Sequence, residues 1–452
     1  MTRLHLFIYR LFCAVEGLLS IVWGGERRRL SLHFEGPLND RLEALSASAT
    51  RRSLVVYAPT VGEFNAVKPV IALYRRQWPD DDLVLFTAYA QYLDLLAKTF
   101  PDAITGLASF RAPWLVTRFF EKTKPRLFII SEGPALHGCF PQRLEVALPA
   151  GCLARNIPVV VSNAVLFERA PQSRIDRLEN ALFSQLFTKS IRGWFPPFPL
   201  FKAALIREGA PAERVQVLGE LRFDSLRISG VPKSDELEGL LAQYRASQAP
   251  VLVAGSVNHA DEQQFVVNAW LQLRTRYPLA KLIIAPRYVN VPAVIQALTT
   301  MLADAGADFV LRSDPSSGQR LRDVLVVDVF GELSHYYSVA TASYIGRDHG
   351  VLEPLAYECP TIVGKGWRQN YSATPMYDYM VSERGVICVG DVGELAAAVQ
   401  RVIEDRSFLN EWLETARRLI AENAGASQRI LVALQQLLTE SNRPLTSPAT
   451  QE

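Results

Sequence analysis

The chain has 452 residues, which exceeds one ordinary hydrophobic core and predicts two domains of roughly 200 residues each. Hydrophobic residues make up 49% of it and charged residues 21%, and 48 basic against 46 acidic residues leave a formal net charge of +2. So small a charge excludes a chain-wide field that would recruit nucleic acid. Five cysteines without a C-x-x-C pair favour reduced thiols and argue against a structural zinc site.

The window Leu4–Trp23 is the most apolar stretch at either end of the chain, although Arg10 and Glu16 interrupt it. A charge near the centre of a bilayer is costly, so a shallow insertion or short anchor is favoured over a clean span. We therefore predict a membrane-associating helix over residues 1–30, with the three arginines at 27–29 facing anionic headgroups on the cytoplasmic side. The alternative is a helix that simply packs on the first domain.

A first Rossmann-like domain is predicted over residues 45–225, because short β-branched runs alternate with segments of helical apolar spacing. Its opening strand, Leu54–Ala58, leads into a helix from about Phe64 to Gln77, so Glu63 lies where a strand ends and a helix begins. Ligands of such sheets bind outside the carboxyl ends of the strands, where Glu63 would face an acceptor. The alternative is an ordinary first-turn glutamate that complements the helix dipole.

Two more polar residues follow strands of this domain. Strand Leu127–Ile130 ends near Glu132, and strand Pro158–Ser162 is followed by Asn163. Ligands of such sheets bind at the carboxyl ends of the strands, so Glu132 is predicted at the crevice. For Asn163 the alternative is a residue that stabilises the turn after its strand.

The remaining segments are assigned by composition and apolar periodicity. A linker and helix are predicted over 226–249, a second Rossmann-like domain over 250–405, bracing helices over 406–440 and a disordered tail over 441–452.

Within the second domain, strand Val251–Ala254 runs into a turn that contains Ser256, and strand Lys281–Ala285 ends at Arg287. Further on, the turn 346–350 separates strand Ala342–Ile345 from a helix predicted to begin near Leu352. Free N–H groups at such a helix start bind anions, and a nucleotide phosphate is the expected ligand. The alternative is a tight turn that needs glycine and nothing more.

Over residues 53–399 the order of motifs resembles that of the 3-deoxy-D-manno-octulosonic acid (Kdo) transferases. The matching stretches are V-G-E ending at Glu63, V-x-V-x-G-x-L-x-F-D from Val215, D-x-x-G-E-L from Asp328, G-x-x-H-G-x-x-E-P from Gly346 and G-x-G-x-x-x-N-Y from Gly364. The resemblance implies a glycosyltransferase of the GT-B kind, with two Rossmann-like domains facing a central cleft. Such enzymes move Kdo from CMP-Kdo to a lipid A precursor in lipopolysaccharide biosynthesis, on the cytoplasmic face of the inner membrane.

The resemblance also implies roles for individual residues. Glu63 would be the catalytic base, and Arg287 would contact the phosphate or carboxylate of the donor. The other donor-binding residues would be Ser256, Gly331, Glu332, His349, Glu353 and Asn370. Of these, Glu353 would hydrogen-bond the ribose. Lys365 or Arg347 would help stabilise the leaving phosphate. Glu132, Asn163 and Arg222 would be acceptor-side or supporting residues.

Departures from the family pattern leave the donor open. Gly350 and Glu220 replace asparagines, and Asn258 and Tyr288 replace histidines. Three functions therefore remain: a Kdo transferase, a divergent paralogue that transfers another activated acidic sugar to a cell-envelope acceptor, and a non-catalytic envelope-assembly protein.

No metal and no other cofactor is expected. The run Asp80–Asp82 precedes a strand and is predicted to be a solvated turn rather than a metal motif, and the six histidines include no H-x-x-x-H pair. The predicted partners are a CMP-activated sugar, a lipid A precursor and the membrane surface, without nucleic acid. A single displacement with inversion at the sugar carbon is the expected course.

Overall fold

The structure is a computed structural model, and it describes residues 4, 6–12, 14–15, 51–107, 113–132, 147–165, 174–226, 234–289, 291–367 and 373–441. The chain divides into two units, of which the first comprises Met1–Ser225 with Ala424–Glu452 and the second Leu226–Asn423. The predictions for residues 16–30, for Asn370, for the tail 442–452 and for most of the linker fall outside the described residues.

In the first unit the described strands form one parallel sheet. They are β1 (Ser53–Tyr57), β2 (Asp82–Thr87), β3 (Ile104–Leu107), β4 (Pro125–Ser131), β5 (Val159–Ser162) and β6 (Ile191–Phe195). The helices that accompany them are α1 (Val61–Gln77), α2 (Leu93–Thr99), α3 (Pro113–Thr123), α4 (Ala147–Ala154), α5 (Arg174–Ser190), α6 (Pro199–Arg207) and α7 (Leu221–Ser225), with 3-10 helices at Ala90–Tyr92 and Ala212–Arg214.

The strand order of this sheet is β3-β2-β1-β4-β5-β6. Every residue of β1 is buried, as expected for a parallel strand that helices cover on both faces. The chain runs outward from β1 to β3 and then returns to β4 on the other side of β1. The strand order therefore reverses between β1 and β4, which is the point where open α/β sheets bind their ligands.

The second unit has its own parallel sheet. Its described strands are β7 (Val251–Gly255), β8 (Lys281–Ala285), β9 (Phe309–Leu311), β10 (Val324–Val326), β11 (Ala342–Ile345), β12 (Thr361–Gly364) and β13 (Ile387–Val389). Its helices are α8 (Asp235–Ser247), α9 (Ala260–Arg276), α10 (Pro292–Asp304), α11 (Leu333–Tyr336), α12 (Thr374–Ser382), α13 (Val392–Glu404) and α14 (Arg406–Asn423), with 3-10 helices at Pro315–Gly318, Tyr337–Val339 and Glu353–Tyr357.

The strand order here is β13-β12-β11-β7-β8-β10-β9, so the reversal lies between β7 and β11. The strands predicted at Lys281–Ala285 and Ala342–Ile345 are confirmed residue by residue. Both are short apolar runs that lie fully inside the sheet, which is why their pattern is easily recognised.

The last helix, α15 (Ala426–Ser441), belongs to the first unit. The carboxylate of Asp224 accepts hydrogen bonds from the backbone N–H groups of Gly425 at 2.6 Å and Ser427 at 2.7 Å, and so caps the helix at its amino end. Ile430 and Leu434 are fully buried in the same core as α1. This helix thereby holds α7, which carries Arg222, against the body of the unit.

The helix predicted to begin near Leu352 is wrong in type and length, because the structure has only the 3-10 helix Glu353–Tyr357 there. Glu358 adopts the left-handed region at φ 54°, which ends the segment, and β12 begins soon afterwards at Thr361. So short a segment has little macrodipole, so the argument for a phosphate at a helix amino terminus does not hold at this turn.

The solvated turn predicted at Asp80–Asp82 is also wrong for its middle residue. The Asp81 side chain is only 4% exposed and accepts hydrogen bonds from the Arg126 guanidinium, at 2.6 Å from Nε and 2.9 Å from Nη2, and from the Tyr74 hydroxyl at 2.7 Å. Asp81 precedes β2 and Arg126 lies at the start of β4. The pair therefore links the amino ends of these two strands, at the edge of the sheet away from the crevice.

Replacing Asp81 by asparagine should lower the free energy of unfolding by about 2 kcal/mol, because the Arg126 guanidinium loses its charged partner. Urea unfolding measures the change. The matched control is Asp102→Asn, which breaks an ion pair with Arg75 whose side chains are 61% and 36% exposed, and should cost less than about 1 kcal/mol. Equal losses in the two variants would contradict a stabilising role for the buried pair.

The described residues of the amino-terminal segment are helical and have two different apolar faces. On one face Tyr9 is buried, with its ring edge-on to Phe183 at a centroid distance of 4.8 Å, and Leu6 and Phe12 pack on the same core. The opposite face exposes an apolar stripe, formed by Leu4, Phe7, Ile8, Leu11 and Val15. No helix within the described residues is long and apolar enough to cross a membrane.

Candidate active site

Glu63 lies in the first turn of α1, directly after β1 and at the reversal point of the first sheet. Thr60 and Glu63 form a capping box, in which the Thr60 backbone N–H donates to Glu63 Oε2 at 3.0 Å and the Thr60 hydroxyl donates to the same oxygen. Both hydrogen bonds that this carboxylate makes within the described residues use Oε2, which leaves Oε1 for a substrate. The helix-capping role and the catalytic role are therefore compatible.

Glu132 follows β4, the strand next to β1, and its side chain is almost fully buried. The residue adopts the left-handed backbone region at φ 50°, which is unusual for a glutamate. Burial raises the pKa of Glu132 to about 7, helped by the charges of Glu63 and Glu220 and opposed by Arg222. Its Oε1 atom has no hydrogen-bond partner among the described residues. Glu132 thus holds or releases a proton near neutral pH.

Arg222 connects these acidic groups. Its guanidinium donates to Glu132 Oε2, and its Nη1 atom lies 3.4 Å from Glu220 Oε2. Asn163, which follows β5 at φ 54°, donates from Nδ2 to Glu220 Oε1 at 2.6 Å and accepts the Leu221 backbone N–H at 3.3 Å. A single cation is therefore shared by carboxylates that come from different parts of the unit.

The structure brings together all four polar residues predicted for the first domain. Glu63, Glu132 and Asn163 follow the adjacent strands β1, β4 and β5, and Arg222 reaches them from α7. Sequence reasoning treated Glu220 only as a departure from the family pattern and missed its place in this network. The available signal was an acidic residue within the apolar stretch from Leu218 to Phe223, two residues before Arg222. Proton exchange between this cluster and a hydroxyl acceptor stays a prediction.

In the second unit the turns after β7 and β11 lie against each other. Ser256 adopts the left-handed region at φ 57°, and a Cβ atom added at Gly346 would lie 2.3 Å from the Ser256 carbonyl oxygen. Only glycine allows so close an approach of the two backbones. Glycine is therefore required at position 346, and the close contact with Ser256 holds the two loops together at the reversal point of the second sheet.

A chain of three polar residues spans the carboxyl ends of β11, β7 and β8. The Arg287 backbone N–H donates to Asn258 Oδ1 at 2.9 Å, Asn258 Nδ2 lies 3.1 Å from His349 Nε2, and Arg287 Nη1 lies 2.7 Å from His349 Nδ1. Arg287 is exposed while the other two are half-buried. Two predicted donor-binding residues, Arg287 and His349, are therefore in contact, and Asn258 joins them.

Glu262 holds the loop after β11 in place. It is a buried residue of α9 that sequence reasoning did not single out. Its Oε1 atom accepts the Arg347 backbone N–H at 2.9 Å and the Tyr344 hydroxyl at 3.0 Å. Burial raises the pKa of this carboxyl. The Arg347 side chain turns toward Asp261, with Nη2 at 2.9 Å from Oδ2. The Arg347 guanidinium, which was predicted to help stabilise the leaving phosphate, is therefore held in an ion pair with Asp261.

Glu332 is engaged by a neighbouring arginine. Its two carboxylate oxygens accept hydrogen bonds from Arg312, at 2.8 Å from Nε and 3.1 Å from Nη2, and the Tyr336 hydroxyl donates at 2.8 Å. Arg312 is buried and also reaches Glu236 on α8 at 2.8 Å. Glu332 therefore supports the loop after β10, and a direct contact between it and the donor stays a prediction.

The other predicted donor residues occupy varied positions. Gly331 has φ 88°, which favours glycine, and Glu353 is exposed at the start of its 3-10 helix. A Cβ atom added at Gly350 would meet no atom within 4 Å, so glycine is not sterically required there. Lys365 is exposed after β12, and Asn370 lies outside the described residues.

Comparisons with known sequences agree with the motif order. The family model described as 3-deoxy-D-manno-octulosonic-acid transferase (kdotransferase) matches residues 37–225, which include all four polar residues of the first-unit cluster predicted from the sequence. The 3-deoxy-D-manno-octulosonic acid transferase of Haemophilus influenzae is 23% identical over 448 residues, which cover 97% of this chain and 98% of that protein.

Two solved structures share the fold. A UDP-GlcNAc 2-epimerase from Neisseria meningitidis, bound to UDP-GlcNAc, superposes with a TM-score of 0.55 and 17% identity over 85% of this chain and 100% of its own. A glycosyltransferase from Rickettsia africae gives a TM-score of 0.57 and 10% identity over 87% of this chain and 99% of its own. The predicted GT-B class, with two Rossmann-like parallel sheets, is confirmed. The chain is a glycosyltransferase that is similar to 3-deoxy-D-manno-octulosonic acid transferases over nearly its whole length.

Proposed function

We propose that this protein transfers Kdo from CMP-Kdo to a hydroxyl group of a lipid A precursor at the cytoplasmic face of the inner membrane. The observation that carries the proposal is the acidic cluster of Glu63 and Glu132 at the reversal point of the first sheet. It supplies a proton acceptor where an open α/β sheet binds its ligand. The similarity to the Kdo transferases suggests the donor and the acceptor class.

In the proposed reaction the Glu63 carboxylate removes the proton of the acceptor hydroxyl. The acceptor oxygen forms a bond to the anomeric carbon of the sugar as the bond from that carbon to the phosphate oxygen breaks. The electron pair leaves with CMP, and the configuration at the carbon inverts. Arg287 would stabilise the leaving phosphate, since a guanidinium binds such oxygens through paired N–H groups.

Nucleotide binding tests the proposed donor. CMP, UDP, GDP and ADP are added separately to the purified protein, and the unfolding temperature is measured. A ligand of the native state at a hundredfold excess over its Kd adds about 2.7 kcal/mol of stability, so CMP alone should raise the temperature by several degrees. Arg287→Ala should remove most of that rise. A response to a different nucleotide would replace the donor, and no response to any would contradict nucleotide-sugar transfer.

A divergent donor is the second candidate, favoured by the open space around Gly350 and by Tyr288, whose side chain replaces a family histidine and is 52% exposed. Because nothing blocks a side chain at Gly350, Gly350→Asn should fold and restore the family residue. If the enzyme uses CMP-Kdo, this variant keeps or increases its transfer rate with that donor. A loss of transfer in a folded variant would favour another acidic sugar.

We also infer that the amino-terminal helix lies on the membrane surface, because it presents the apolar stripe Leu4, Phe7, Ile8, Leu11 and Val15 while its other face packs on the first unit. The double variant Phe7→Ser, Leu11→Ser should reduce binding to vesicles with anionic lipids by at least about tenfold. The control is Leu200→Ser on α6, where the leucine is 74% exposed. Equal binding by both variants would refute the surface assignment.

A further inference from the structure

The Arg347 guanidinium lies where the loops after β7, β11 and β12 meet. Its Nη2 atom lies 3.1 and 2.9 Å from the two carboxylate oxygens of Asp261 in the first turn of α9, and its Nε atom lies 3.7 Å from Glu262 Oε1. On its other side, a Cβ atom added at Gly366 in the loop after β12 would lie 3.9 Å from Arg347 Cδ and Nη1. The guanidinium is therefore at the carboxyl ends of the strands, where open α/β sheets bind ligands.

The ion pair with Asp261 uses only part of the guanidinium and is readily exchanged. Among the described residues, the side-chain hydrogen bonds of Arg347 all come from Nη2, whereas a guanidinium can offer two parallel N–H groups to one carboxylate. The Asp261 side chain is 73% exposed, and an ion pair with so exposed an acid contributes little to stability. A ligand carboxylate that meets both N–H groups can therefore displace Asp261.

The loop stays in place when the Arg347 side chain turns. The Arg347 backbone N–H donates to Glu262 Oε1 at 2.9 Å, and the same oxygen accepts the Tyr344 hydroxyl at 3.0 Å. Glu262 and Tyr344 are both buried. The Arg347 backbone is thus fixed independently of Asp261, and a change of side-chain partner needs only rotation about side-chain bonds.

A second arginine borders the same turn. Arg287 Nη1 lies 2.7 Å from His349 Nδ1, and His349 comes two residues after Arg347 in the turn 346–350. The proposed donor has two oxyanions on one carbon, because the anomeric carbon of Kdo carries the carboxylate as well as the phosphate ester. With Arg287 on the phosphate, the carboxylate still needs a cation, and Arg347 is placed to supply it.

We propose that Arg347 determines specificity for an acidic sugar by binding the carboxylate of the donor, and that Asp261 pairs with it until the donor arrives. The donor carboxylate then replaces Asp261 on the guanidinium. A neutral sugar brings no anion that can displace Asp261, so the exchange selects against it. The identity of the donor rests on the proposed function, whereas the exchangeable ion pair does not.

The experiment measures equilibrium binding of freshly prepared CMP-Kdo, of CMP and of inorganic phosphate to the full-length protein without acceptor. Arg347→Gln should weaken CMP-Kdo binding at least about tenfold and CMP binding less than about twofold, because only the sugar carboxylate loses its cation. The unchanged CMP affinity also shows that the variant is folded. Asp261→Asn should strengthen CMP-Kdo binding about two- to fivefold, because the competing carboxylate is gone.

A double variant and a control make the test specific. Asp261→Asn combined with Arg347→Gln should bind CMP-Kdo as Arg347→Gln does alone, since Asp261 acts only through that guanidinium. The control is Arg417→Gln, which breaks an ion pair with Glu358 whose side chains are 60% and 50% exposed. This control should change the affinity for none of the three ligands.

The outcomes separate this inference from the proposed function. If Arg347→Gln weakens CMP and CMP-Kdo equally, or weakens neither, Arg347 does not read the carboxylate and the inference is overturned. Additive effects in the double variant would overturn the role of Asp261. If the natural chain binds neither cytidine ligand, the proposed function and the sugar assignment fail. Inorganic phosphate then decides on the ion pair alone, which stands only if Asp261→Asn strengthens phosphate binding about two- to fivefold and the double variant does not.

Discussion

Glu63→Gln should lower kcat for sugar transfer by about 10²- to 10⁴-fold, the usual loss when a general base is removed, with little change in donor affinity. Glutamine is a good test because it suits the third position of a capping box as well as glutamate does. The hydrogen bond from the Thr60 backbone N–H can therefore persist. The loss of activity then reports the missing proton acceptor and not a damaged helix.

The control variant is Glu238→Gln, which makes the same chemical change in the first turn of α8, where Glu238 forms an exposed ion pair with Arg245. Transfer of radiolabelled sugar to lipid A precursor measures both rates. The control should retain full activity. An active Glu63→Gln protein would leave this glutamate with its helix-capping role only and would turn attention to Glu132 as the proton acceptor.

Glu132→Gln should remove a large part of the pH dependence of the stability of the first unit. The folded pKa of Glu132 is about 7 against an ordinary value of 4.5, so the folded state holds its proton more tightly than the unfolded state does. The contribution of Glu132 to stability is then greatest below pH 4.5 and falls as the pH rises toward 7. By linkage the loss approaches about 3 kcal/mol above about pH 7.

Urea unfolding at about pH 5 and about pH 8 measures this effect in both proteins. Glutamine cannot ionise, and Arg222 keeps its contact with Glu220, so the variant should be more stable than the natural chain at the higher pH and nearly equal to it at the lower one. The difference between the two proteins is the quantity to compare, because all other titrating groups cancel in it. A difference that is the same at both pH values would contradict the raised pKa.

Several elements of the fold follow from local pattern. The strands at Lys281–Ala285 and Ala342–Ile345 are short, apolar and bounded by turn residues, and their positions were predicted to the residue. The helix expected near Leu352 failed because two local effects combined. The left-handed backbone of Glu358 and the early start of β12 leave room only for a 3-10 helix, and apolar spacing does not report this.

The candidate site also has one part that follows from the sequence and another that only the tertiary structure shows. Sequence position placed Glu63, Glu132 and Asn163 after strands, and the parallel order of the sheet brings them to one edge. Arg222 lies 90 residues from Glu132 in the chain and binds it because α7 packs on α1 and is held by α15. The burial of Asp81 likewise depends on Arg126, which comes from a strand 45 residues later.

The sequence by itself predicted the fold class, the resemblance to the Kdo transferases and the positions of Glu63, Glu132 and Asn163 after their strands, because these depend on local apolar periodicity and on motifs that a single segment carries. Only the tertiary structure decided which charges meet. The pairing of Arg222 with Glu132, the raised pKa that burial gives Glu132, and the contact between Arg287 and His349 arise from groups that lie far apart in the chain. Burial and hydrogen bonding depend on spatial neighbours, and no local pattern encodes these.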